Sequence, residues 1–61
     1  MLALMEQAPE HILIVDDDAE LRGMLVTYLG QNGYTAEGVA DGIAMDHYLA
    51  RRPVQLLVLD L

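Results

Sequence analysis

Two stretches decide the fold: Ile12-Leu13-Ile14-Val15-Asp16-Asp17-Asp18 and, some forty residues on, Leu56-Leu57-Val58-Leu59-Asp60. Each is a short, unbroken apolar run that halts at acid. Four residues are too few for a helix, and the β-branched Ile12, Ile14, Val15 and Val58 suit a strand buried on both faces, as in a parallel sheet. Between them, Leu21, Met24, Leu25, Tyr28 and Leu29 recur at spacings of three and four, which predicts a helix with one stripe toward a core. Asp18 is placed to cap it, and Glu20 complements the positive end of its dipole. Gly30 and Gly33 are expected to end that helix, Gly33 in the left-handed position after the last turn.

Tyr34–Val39 reads as a second strand, and its Ala36, Glu37 and Gly38 assign it to a sheet edge. Asp41-Gly42 opens a second helical stretch with Ile43, Ala44, Met45, Tyr48 and Leu49 apolar, which stops ahead of Pro53. The order is therefore β-α-β-α-β. Strands alternating with helices of this length form a parallel sheet, and order 2-1-3 puts the two helices on opposite faces. The fold class expected is α/β, half of a flavodoxin-like doubly wound parallel sheet. Residues 1–10 show no sustained period and read as a flexible tail, with the domain at residues 11–61.

Composition bounds the rest. A chain of 61 residues buries only about 60% of the surface that its unfolded form exposes, so stability is expected to be marginal. There is no Cys, which leaves a metal or another chain as the available brace. The apolar share of 54% predicts a packed core rather than disorder. Ten acidic side chains against three Arg and no Lys give a net charge of −7, which argues against direct contact with nucleic acid by this segment. Met1–Met5 lacks the basic flank of a signal sequence, and no apolar run nears the ~20 residues of a membrane span. A soluble, cytoplasmic protein is expected.

In an open parallel sheet the ligand crevice lies beyond the carboxyl ends of the strands, where Asp16, Asp17 and Asp60 would converge. Three carboxylates repel unless a cation joins them. Mg²⁺ suits such a set, since it takes hard oxygen ligands from few protein groups and keeps several waters.

An apolar strand ending in a double aspartate, followed by one ending in Leu59-Asp60-Leu61, resembles the response-regulator receiver of two-component signalling. Gly33-Tyr34 ahead of the second strand and Asp41-Gly42 ahead of the second helix add to the likeness, which runs from His11 to Leu61. The resemblance implies that Asp16 and Asp17 form the acidic pair on Mg²⁺ and that Asp60 accepts phosphate from a histidine kinase. It also implies a parent protein of OmpR-type style that regulates transcription, touching DNA through an output domain outside this segment. The chain would be a phosphoacceptor assisting its own transfer rather than an enzyme. It departs from the family in carrying no Lys, and in offering only Thr27 and Thr35, neither at a switch position. The open Leu56–Leu59 edge predicts self-association or completion by a further segment.

Two other readings follow from the residues. Asp16-x-Asp18 is similar to the haloacid-dehalogenase-like phosphatases, with Asp16 as nucleophile, although Glu20 stands where that motif expects a hydroxyl. A receiver-like dimerisation module that is never phosphorylated is the non-enzymatic alternative. Leu21 at the obligatory glycine position excludes an EF-hand. His47, alone on a helix, reads as structural or solvent-facing, His11 likewise, and Arg51-Arg52 as a complement to the helix dipole.

Overall fold

A computed structural model describes residues 10–59. Most of the expected tail, and Asp60 with Leu61, lie outside the described residues.

The first apolar run forms β1 (His11–Val15), the middle strand of a three-stranded sheet. It is flanked by β2 (Thr35–Val39) and β3 (Leu56–Leu59) in the order β2-β1-β3, and both pairings are parallel. Helices α1 (Ala19–Gln31) and α2 (Gly42–Leu49) make the two crossovers. The expected architecture and strand order are thus observed, with β2 at one edge.

Register sorts the side chains into two faces, because successive residues of a strand alternate. His11, Leu13 and Val15 share a face with Glu37, Val39, Leu57 and Leu59, while Ile12 and Ile14 share the other with Ala36, Gly38, Leu56 and Val58. Helix α1 lies over the second face, where Arg22 and Val26 press on Gly38. Helix α2 lies over the first, where Tyr48 reaches His11 and Glu37. The helices therefore cover opposite faces, as the strand order requires.

Among the described residues the buried apolar side chains are Ile12, Leu13, Ile14 and Val15, all from β1. A strand with neighbours on both sides and a helix on each face loses its water first. The α1 stripe departs from expectation: Met24 and Tyr28 are 63% and 61% exposed. The row that turns inward is Arg22, Leu25, Val26 and Leu29, all half-buried. The helix is rotated because the aliphatic stem of Arg22 fills the groove that Gly38 leaves open. Strand β3 departs too. Its four residues are 37–51% exposed, since β1 is its only strand partner among the described residues.

The helix ends follow local chemistry. Asp18 Oδ1 accepts from the amides of Glu20 and Leu21 at 3.0 and 3.1 Å, a cap worth about 1 kcal/mol. Asp41 Oδ1 caps α2 through the Ala44 amide at 2.8 Å. At the far end of α1, Gly33 has φ +90°, the Tyr34 amide donates to the Leu29 carbonyl and the Gly33 amide to that of Gly30. This is a Schellman motif, and it needs glycine at 33 alone. Gly30, also expected to end the helix, lies inside it.

Candidate functional site

The link between β1 and α1 is only Asp16-Asp17-Asp18, and each aspartate is held differently. Asp16 is 2% exposed. Its amide donates to the Val39 carbonyl at 3.0 Å and extends the β1–β2 ladder by one step. Its Oδ1 accepts from the Asp18 amide at 2.9 Å, closing a local turn. Its carbonyl accepts from Arg22 Nη1 at 2.8 Å. Asp17 is exposed and makes no side-chain hydrogen bond among the described residues. Asp18 is committed to the α1 cap.

Asp16 and Asp17 open onto a crevice of about 470 Å³ at the carboxyl ends of the strands, lined also by Val15, Ala40, Asp41, Gly42, Met45 and Leu59. That is where a parallel sheet of this order binds ligands. Asp41, whose sequence context marks it as a helix start, is also a wall of this crevice; the signal for that role is an acid two residues beyond the end of β2. Val15 pairs with Leu59, so the two strands that Asp16 and Asp60 follow in sequence finish level. Among the described residues no three His, Cys, Asp or Glu gather to hold a metal. The expected set counts Asp60 as its third carboxylate, outside those residues.

The donors present nonetheless fit Mg²⁺ in kind. Two hard carboxylates leave one strand end, one fixed and buried, the other free and wet, beside a crevice with room for retained waters. Among the described residues every fully buried side-chain N or O atom has a hydrogen-bond partner, so burial strands no oxygen of Asp16.

A polar chain that sequence spacing did not reveal lies lower on the α2 face. Arg52 Nη1 donates to Glu37 Oε2 at 2.9 Å, and the Tyr48 hydroxyl donates to the same oxygen at 2.9 Å. The same Tyr48 hydroxyl is also hydrogen-bonded to His11 Nε2, so one oxygen links the imidazole to the carboxylate. The His11 and Tyr48 rings meet edge to face at 5.7 Å. Arg52 therefore serves Glu37, an ion pair, rather than the α2 dipole. His47 lines a hollow of about 410 Å³ that Glu37, Tyr48 and Arg52 of this chain also border, away from the aspartate crevice.

Burial, and then the hydrogen bond to Glu37, raise the Tyr48 pKa above its ordinary 10.0, against an opposing pull from Arg52. A raised pKa means that the folded chain keeps a proton the unfolded chain releases. Stability from this group is therefore complete below 10.0 and falls as pH climbs through the higher folded value. Tyr48→Phe is expected to flatten that alkaline decline, read from urea midpoints across the range; an unaltered decline would contradict the role given to Tyr48.

A parallel β-α-β-α-β unit of order 2-1-3 with acids at the tip of its middle strand is half of a flavodoxin-like doubly wound sheet. Over 53 residues, 87% of this chain and 23% of the relative, the sequence is 36% identical to the TorCAD operon transcriptional regulatory protein TorR of Escherichia coli O157:H7. It is 37% identical over 57 residues to protein PetR of Rhodobacter capsulatus, covering 93% of this chain and 24% of that protein. Regulatory protein VirG of Agrobacterium fabrum is 33% identical over 52 residues, 85% of this chain and 21% of its own length. No protein-family model matches the chain, and no solved structure matches it significantly. These relatives are response regulators, and the chain matches their receiver region as a fragment of it. It spans about a quarter of the length of the curated relatives it matches.

Proposed function

We propose that this chain is the phosphoacceptor segment of a cytoplasmic two-component response regulator. Asp60 takes the phosphoryl group: its carboxylate oxygen bonds to phosphorus as the bond to the histidine of a histidine kinase breaks. Asp16 and Asp17, with Asp60, would hold Mg²⁺, which when bound supplies positive charge to the group in transfer. In the parent protein, transcription is regulated through an output domain that contacts DNA.

The observation that carries this proposal is the pairing of buried Asp16 with exposed Asp17 at the crevice end of the middle strand, level with the end of β3. Support also comes from the sequence likeness to transcriptional regulatory proteins. Labelling with a small phosphodonor and mapping the modified residue tests it. Modification at Asp60 is the expected result; modification at Asp16 would favour a phosphatase-like nucleophile instead.

Self-association is part of the proposal. Among the described residues β3 has a strand partner on one side only, and its edge exposes Leu56, Leu57, Val58 and Leu59 without the charge or proline that keeps natural edges apart. Sedimentation over a range of concentrations is expected to show a monomer giving way to a dimer, and a folded monomer at the highest concentration would dispose of it.

A further inference from the structure

Arg22 stands apart from the chain's other cations. Arg51 and Arg52 follow α2, whereas Arg22 sends its guanidinium from α1 to the acidic link, where Nη1 donates to the Asp16 carbonyl at 2.8 Å. Its stem crosses β2 at Gly38. A Cβ at that position would lie 2.5 Å from Arg22 Cγ and 2.8 Å from Cδ, distances that real side chains do not tolerate. Gly33 is the one described glycine with positive φ, so Gly38 is not glycine for its backbone conformation. A glycine inside a strand weakens it. What it gives in return here is the slot through which Arg22 reaches Asp16.

The consequence falls on Asp17. The peptide unit before it is held through the Asp16 carbonyl by Arg22, and the unit after it through the Asp18 amide by Asp16 Oδ1. With both flanking peptides fixed, the direction in which the exposed Asp17 carboxylate leaves the backbone is fixed as well. We infer that Arg22 is a positioning residue for the acidic site, acting through the Asp16 backbone from the slot that Gly38 provides. This rests on the metal-binding role proposed for Asp16 and Asp17.

Charge and position predict opposite signs, which makes the inference testable. A guanidinium near a cation site repels the ion, so removing the charge alone would tighten Mg²⁺ binding. Losing the positioning contact would weaken it, by roughly 10-fold for a residue that orients a ligand without touching the metal. The experiment is a Mg²⁺ titration of the ¹⁵N-labelled chain followed through the amides of Asp16, Asp17 and Asp18, with β1 amide dispersion reporting the folded fraction. Arg22→Met keeps the stem and is expected to weaken binding about tenfold per folded chain, with Arg22→Lys recovering part of the loss. Gly38→Ala is expected to weaken binding where Arg22 is present and to add nothing in an Arg22→Ala background, since the two share one space. Unchanged or tighter binding in Arg22→Met, or a Gly38→Ala effect that persists without the Arg22 stem, would overturn the inference. If Asp17→Ala abolishes the Mg²⁺ response and Arg22→Met leaves the affinity unchanged, positioning by Arg22 fails alone. If the parent chain shows no response, the metal site fails and takes the inference with it.

Discussion

Leu13→Ala is expected to leave most molecules unfolded. Leu13 is 0% exposed, in the middle of the middle strand, with a partner strand on each side. Truncating such a leucine costs about 2–5 kcal/mol, from lost transfer energy and the cavity left behind. A chain of this size commands only a few kcal/mol in total, roughly 0.05–0.15 per residue. The loss therefore approaches the whole margin. Met24→Ala is the control, because Met24 is 63% exposed and such surface changes stay within about 0.5 kcal/mol. Far-UV circular dichroism and urea titration decide it, and a Leu13→Ala midpoint equal to that of the parent would show that the core is not where β1 puts it.

Asp60→Asn is expected to abolish labelling by a small phosphodonor. An amide keeps the size of the side chain but offers no carboxylate oxygen to bond to phosphorus, so the effect should be all or none. Asp18→Ala gives the contrast: it removes the α1 cap, lowering stability by about 1 kcal/mol, and should leave labelling of the folded chain in place. Mass spectrometry of both variants separates an acceptor from an acid that merely supports the fold. Label retained in Asp60→Asn would move the acceptor elsewhere.

Element order, strand order and both helix starts were legible in the sequence because each rests on local pattern: two apolar runs, two spacings of three and four, and an aspartate ahead of each helix. The placement of Asp16 and Asp17 at a strand tip was legible for the same reason. Packing was less so. Leu56–Leu59 is as uniformly apolar as Ile12–Val15, yet it is exposed, since burial depends on neighbours rather than on the run itself. The α1 stripe misled because a hydropathy pattern ranks Met24 above Arg22, while the groove over Gly38 takes an unbranched stem whose charge can leave at the far end. The chain through His11, Glu37, Tyr48 and Arg52 joins residues up to 41 positions apart, and no local pattern announces it.

The three-aspartate link also sets how freely each position can vary. At 18 the requirement is an oxygen on a short stem, which Asn, Ser or Thr would meet. At 16 the demand is stricter, for an acceptor small enough to turn back on the chain while the side chain stays buried. At 17 the fold asks for nothing that the described residues reveal, so any constraint there comes from chemistry alone. Identical letters in a row thus carry three unequal tolerances, and a substitution scan through them would sort architecture from activity without leaving a single tripeptide.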